Sequence, residues 1–289
     1  MFRVTILLAY AALALPAPAQ SLPFETVFKG RATFDALVAR AAEWKALPIG
    51  TRTATVGGAL CGLPYKGFTL EIDDRIEAPS VNLTGLDCWT FFESALAFAR
   101  MLDEPAEQWT PATMLRYIEM DRYRDGRCDG TYLSRLHYLE EWFRDNDRRG
   151  LVADLTRTLG GERVPHTANE MTVNWRTYRY LRADPSLRSG ISAMEKRVAS
   201  MSMYHIPKGR VAAIEGSLRS GDIIGITTND PGGIGTSHVG LAYRTADGIR
   251  FLHASAPRNH GRVVLDSRLS DYVNRFRTNA GIMVARPLR

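Results

Sequence analysis

Apolar residues recur at spacings of three and four from Ser21 to about Ile49, through Phe24, Val27, Phe28, Phe34, Leu37, Val38, Ala41 and Trp44, and predict helix there. The next stretch, 51–67, is rich in glycine and small residues and reads as loop and turn. Residues 68–72 alternate and read as a short strand. From Leu86 to Leu102 the apolar side chains surround most of the axis, which predicts a buried helix. Residues 103–202 read as mostly helical and polar, most clearly over 135–143. After that the period changes. Strand-like runs occupy 210–214, 222–227, 238–243, 249–254 and 281–286, separated by turns such as Ser220-Gly221-Asp222 and Asp247-Gly248. Helices first and antiparallel strands afterwards predict an α+β fold.

Composition narrows the class. A chain of 289 residues that is 45% hydrophobic and 24% charged is an ordinary globular protein, which excludes disorder, collagen and coiled coil as whole-chain descriptions. The net charge of +6 is spread along the chain, with no long basic run interleaved with aromatics, so a nucleic-acid partner is not expected. That charge suits an anionic polymer such as a bacterial cell wall equally well.

The N-terminus carries Arg3, an apolar run over 4–15 and then Ala17-Pro18-Ala19. This is the pattern of a signal peptide cleaved after about Ala19, and it predicts an exported, periplasmic protein. The apolar run falls short of the roughly 20 residues that span a bilayer, and no other long apolar stretch follows, so stable membrane insertion is not expected. The domain reading is a signal peptide over 1–19 and one catalytic domain over 20–289, with a helical insertion at about 103–202. Three cysteines remain: Cys61, Cys88 and Cys128. An odd count leaves one thiol over in an oxidising compartment, and two arrangements stay open: Cys61 paired with Cys128, or three free thiols.

The candidate chemistry runs in the order Cys88, His238, His253. Cys88 follows Asp87 at the start of the buried helix, where Asp87 caps the first turn. The positive end of the helix and its free N–H groups favour thiolate there and offer donors to an oxyanion. Taken alone, a cysteine among aromatics reads equally as a small buried apolar residue. His238 opens one strand-like run after a glycine-rich loop, and His253 sits in the next. On neighbouring strands they share a face, one as base toward the thiol and the other orienting it. Other routes find no motif. His137, His166, His205 and His260 lack zinc-ligand spacing, no G-x-S-x-G occurs, and Gly232-Gly233-Ile234-Gly235 lacks the lysine and helix of a phosphate loop. No metal or cofactor is expected.

These residues sit in a recognisable context. Gly62-Leu63-Pro64-Tyr65, Leu86-Asp87-Cys88-Trp89-Thr90-Phe91, Ser237-His238-Val239-Gly240-Leu241-Ala242 and Leu252-His253-Ala254-Ser255 resemble the NlpC/P60 cysteine peptidase superfamily. The longer context resembles one branch, the DUF1460 family of N-acetylmuramoyl-L-alanine amidase-like proteins. It includes Asn82-Leu83, Phe92-Glu93, Ser134-Arg135-Leu136-His137-Tyr138, Tyr204-His205-Ile206-Pro207-Lys208 and Val263-Val264. The resemblance implies a papain-like α+β core, an N-terminal helix packed on an antiparallel sheet, with added helices. It implies cleavage of the amide between N-acetylmuramic acid and L-Ala in peptidoglycan or a muropeptide. Carried over, Cys88 is the nucleophile, His238 the base and His253 the orienting third member. Tyr65 matches a tyrosine beside the active site, at a longer spacing from the cysteine than is usual. Trp89 departs from the small hydroxyl residue many members have after the cysteine. Ser134, Arg135 and His137 are expected on a helix, either lining a substrate groove or docked on the core. Two rivals stay open: an endopeptidase cutting the stem between γ-D-Glu and diaminopimelate, and a non-catalytic wall-binding module.

Overall fold

A computed structural model describes residues 21–231 and 233–288. The expected signal peptide and its cleavage point lie outside the described residues. The chain pairs a set of helices with a mostly antiparallel sheet. The helices that matter for the site are α1 (Ile49–Ala59), α2 (Cys88–Met101), α3 (Pro111–Arg122), α4 (Leu139–Arg148), α5 (Leu187–Ser200) and α6 (Leu269–Arg275). The main strands are β1 (Met203–Pro207), β2 (Ile223–Asp230), β3 (Gly233–Thr245), β4 (Gly248–Ala254), β5 (Val263–Arg268) and β6 (Asn279–Pro287). They are ordered β1-β6-β2-β3-β4-β5 and every pair is antiparallel.

The sheet has an apolar layer on each face. Val239, Leu241 and Leu252 face α2 and pack with Phe91, whereas Ala242 and Phe251 pack with Tyr272 and Val273 of α6. In α2 every residue from Thr90 to Met101 is buried. Burial on all sides includes Glu93 and Arg100, and α3 supplies an opposite charge to each. Arg122 Nε lies 2.7 Å from Glu93, and Arg100 pairs with Asp121. Trp142 of α4 donates to the other Glu93 oxygen at 3.2 Å. Charges removed from water must be paired this way, because each carries a desolvation penalty of several kcal/mol.

Several elements differ from the sequence reading. Residues 49–59 are helical rather than loop. Their small side chains let α1 lie close on the sheet: a Cβ on Gly57 would stand 3.1 Å from Leu241 and Leu252. The segment 68–72 forms turns, not a strand, and Phe68 has φ 57°. The run at 210–214 is a short helix, Val211–Ile214, because Pro207 ends β1 and only Val211 turns inward. The helical stretch at 21–49 is broken by Phe28–Lys29, which pairs with Val81–Asn82. Within 103–202, Val152–Asp154 and Glu162–Val164 are strands rather than helix and join the main sheet. Ser134, Arg135 and His137 do not lie on a helix: Tyr132–Ser134 is one 3-10 turn, Arg135 is extended, and α4 begins at Leu139. All three thiols are free, so the Cys61–Cys128 pairing is not formed. No helix among the described residues is long and apolar enough to cross a membrane.

The buried pairs along α2 set an expected outcome. Glu93→Ala strands the Arg122 guanidinium and should cost about 3–5 kcal/mol in urea unfolding. Glu104→Ala, which breaks the more exposed pair with Arg116, should cost under about 1 kcal/mol. Equal losses would contradict this account of the core.

Candidate active site

Asp87 starts α2 with a reciprocal cap. Its carboxylate accepts from the Thr90 N–H at 2.8 Å, and the Thr90 hydroxyl accepts from the Asp87 N–H at 3.1 Å. Thr69 adds a hydroxyl contact to each partner, at 3.2 and 3.1 Å. Cys88 is therefore fixed as the first helical residue. Its sulfur faces backbone N–H groups of Val239, Trp89 and Cys88 itself. These donors and the helix end do not win. Burial pushes the thiol up to about 12, and the Asp87 charge adds to the rise. The thiolate expected from the helix terminus is overridden by desolvation, which disfavours the charged form.

His238 and His253 stand on neighbouring strands, paired so that Leu241 faces Leu252. That register puts Gly240 opposite His253 and both imidazoles on one face. A Cβ on Gly240 would come within 2.8 Å of His253 Cβ, so glycine leaves the room. A register shift beside Thr236 and His238 bulges β3 at Ser237, a feature that re-aims neighbouring side chains. His238 Nε2 and His253 Nδ1 are 2.7 Å apart, with the rings perpendicular. Phe251 and Tyr272 pack around both rings. Burial, then the neighbouring His253 and Arg258, which oppose a second positive charge, pushes His238 down to about 3. Burial also lowers His253. Both rings are therefore neutral.

Cys88 and His238 line one cavity of about 500 Å³, with Tyr65, Phe68, Glu71, Trp89, Tyr132, Arg135, His137, Tyr138, Tyr178 and Thr236 among its walls. Tyr65 is tied to the segment before Cys88 through a bridge to Leu86. Burial, then Cys88 and Asp87, pushes its hydroxyl up to about 12, so it is a donor. Arg135 lines the cavity, but its charge is engaged by Glu77 at 2.9 Å and Glu71 at 3.4 Å. His137 donates from Nε2 to the Tyr132 carbonyl at 2.8 Å, and burial holds it neutral, so Nδ1 is left as an acceptor. Ser134 is not in the lining: it is buried and donates to Thr131 O. His253 is buried behind His238, also outside the lining. Of the basic and aromatic residues between 103 and 202, Tyr132, Arg135, His137, Tyr138 and Tyr178 reach the cavity. Tyr123 lies beneath it on Glu77, Arg116 pairs with Glu104, and Arg144 is exposed. A second cavity of about 320 Å³ adjoins the first through Tyr138, Glu170 and Thr236. Among the described residues no group of three His, Cys, Asp or Glu is arranged to hold a metal.

A model of the family described as N-acetylmuramoyl-L-alanine amidase-like matches residues 55–282 and so spans every element of this site. The chain belongs to that amidase-like family. Two structures of an N-acetylmuramoyl-L-alanine amidase from Bacteroides uniformis are 28% and 27% identical to it, with TM-scores of 0.74 and 0.75. Each covers 83% of this chain and 99% of its own. A Bacteroides fragilis structure described as a candidate xylanase is 32% identical, with a TM-score of 0.72, over 80% of this chain and 99% of its own. A Legionella pneumophila protein assigned to DUF1460 is 17% identical, covers 90% of this chain and 95% of its own, and shares the fold at a TM-score of 0.66. Among curated proteins none matches the chain.

In this amidase-like site the sequence reading missed Asp266, which lies 3.4 Å from His253 and 3.3 Å from the partly exposed His260. The only signal was an acidic residue within the apolar alternation of β5. The protonation states are directly checkable. Alkylation of Cys88 by iodoacetamide, followed on the Cys88 peptide by mass spectrometry, should rise about tenfold per pH unit from pH 6 to 9. A plateau at or below pH 7 would show a resting thiolate instead.

Proposed function

We propose that this amidase-like protein is an exported peptidoglycan hydrolase that cleaves the amide between N-acetylmuramic acid and L-Ala. The carrying observation is a thiol and a neutral imidazole lining one cavity, the imidazole backed at 2.7 Å by a second histidine. Cys88 acts as nucleophile, His238 as base and His253 as orienting group, in a site of the NlpC/P60 type. Because both partners rest uncharged, the thiol proton moves to His238 as sulfur attacks the lactyl carbonyl. His238 engages His253 through Nε2, so Nδ1 is the nitrogen that receives it. Tyr65 and the N–H groups at the start of α2 are the nearest donors for the developing oxyanion. The imidazolium then returns its proton to the L-Ala nitrogen as the C–N bond breaks, leaving a thioester on Cys88. Water, activated by the same imidazole, hydrolyses the thioester to a muramyl carboxylate and the free thiol.

The endopeptidase uses the same steps on a different carbonyl, and the family favours the amidase. The wall-binding module would need no thiol and imidazole lining one cavity. Glycoside hydrolysis, suggested by one neighbour's description, needs a pair of carboxyl groups across the bond. The carboxylates in the cavity are engaged elsewhere: Asp87 caps α2, Glu71 accepts from Tyr132, and Glu170 accepts from Tyr178.

Cys88→Ala should abolish hydrolysis, by at least about 1,000-fold, with the fold intact. His238→Ala should be as damaging, whereas His253→Gln, which keeps a hydrogen-bond acceptor, should cost about 10- to 100-fold. A dead His253→Gln with an active His238→Ala would reverse the two roles. The base form of His238 is held far below the usual histidine range, so activity should persist as pH falls through 6.5 and fail only at more acid pH. An acid limb centred near pH 6.5 would contradict that.

The substrate test pairs a sugar-bearing muropeptide with its sugar-free peptide. The expected result is release of the whole stem with a free L-Ala N-terminus from the first, and no cleavage of the second. Cleavage of the sugar-free peptide after γ-D-Glu would install the endopeptidase.

A further inference from the structure

The hydrogen-bonded chain does not end at His253. Asp266, on β5 one strand beyond, points Oδ2 at His253 Nε2 from 3.4 Å. It sits where β4 and β5 slip register, between the pairs Arg250–Arg268 and Leu252–Leu265. Its other oxygen accepts from the Ser267 N–H at 2.6 Å and from Arg275 Nη2 at 3.0 Å. His253, Ser267 and Arg275 hold it as an anion although burial of the side chain opposes the charge.

We propose that Asp266 is a positioning residue that sets the tautomers of both histidines, so that His238 meets the Cys88 thiol through an unprotonated Nδ1. The inference rests on the reading of Cys88 and His238 as the reacting pair. Each step follows from donor and acceptor counting. An ionised carboxylate only accepts, so His253 Nε2 carries a hydrogen. A neutral imidazole has one N–H, so His253 Nδ1 is bare. A bare Nδ1 at 2.7 Å from His238 Nε2 requires the hydrogen to be on His238 Nε2. His238 Nδ1 is then bare as well, and it is the nitrogen that must take the thiol proton.

Without a fixed acceptor at the far end, two joined imidazoles have two polarities. The second puts the hydrogen on His238 Nδ1, where the ring cannot take the thiol proton. A lone third residue of the triad therefore orients the ring without fixing its proton. Asp266 supplies the missing direction, and it later faces the positive charge as His238 takes the proton. Three other groups bear on the chain. His260 Nε2 lies 3.3 Å from the same Oδ2, which has a second lone pair to offer. Arg275 pairs with Asp266 directly, and the ring of Tyr272 packs against His253 at 5.0 Å. Arg258 faces His238 from the loop after β4.

The test is long-range proton–nitrogen correlation NMR on protein labelled with 15N-histidine, which reads which ring nitrogen carries the hydrogen. In the unmodified protein His238 and His253 should both be Nε2–H. Asp266→Asn is isosteric but adds N–H donors, and it should move both rings toward the Nδ1–H form. On the muropeptide it should lower kcat at least about tenfold while KM changes less than about twofold. Arg275→Gln, which keeps the carboxylate, should leave both tautomers unchanged. Nδ1–H on His253 in the unmodified protein, or unchanged tautomers in Asp266→Asn, would overturn the proposal. The unmodified spectrum decides the assignment even if Asp266→Asn fails to fold. It needs no substrate, so it stands apart from the amidase reading, which fails instead if Cys88→Ala retains activity.

Discussion

Two arginine–carboxylate pairs buried along α2 fix the position of everything that follows. Glu93 and Arg100 lie on a helix that has no exposed side, and Arg122 and Asp121 on α3 neutralise them. An unpaired charge at either place is strongly destabilising, so α2 depends on α3 to stay buried. Trp142 extends the arrangement to α4 through the second oxygen of Glu93. The segment entering α4 supplies His137 and Tyr138 to the cavity wall. The helix that presents Cys88 and the wall opposite it are thus held by one set of buried charges.

The second constraint is desolvation at the site itself. A helix N-terminus ordinarily favours thiolate, yet here the half-buried Cys88 is desolvated beside the Asp87 carboxylate, and both effects oppose the charge. The same burial keeps the histidines neutral. An uncharged thiol and imidazole can react only by transferring the proton during attack, which places the burden on the direction of the histidine pair. That is why a carboxylate two strands away bears on the chemistry at Cys88.

Much of this was legible in the sequence. The order Cys88, His238, His253 and the Asp87 cap are local signals, carried by a helix start and two short strands. The all-round apolar pattern of α2 also marked its burial. What was not legible depends on contacts distant in the chain. The glycine-rich 49–59 read as loop because its small residues serve close packing on the sheet, not helix propensity. The pairing of Arg135 with Glu71 and Glu77, far upstream, follows from no spacing rule. Asp266 stayed hidden because its role exists only once β5 lies beside β4. Ser134 was named for its neighbours and proves to close a turn.

The covalent intermediate identifies both the nucleophile and the scissile bond. Protein quenched during turnover of a sugar-bearing muropeptide and weighed intact should carry a thioester adduct on Cys88 that contains the muramyl sugar and no amino acid. An adduct containing L-Ala and γ-D-Glu, or an adduct that persists in Cys88→Ala, would contradict the proposed mechanism.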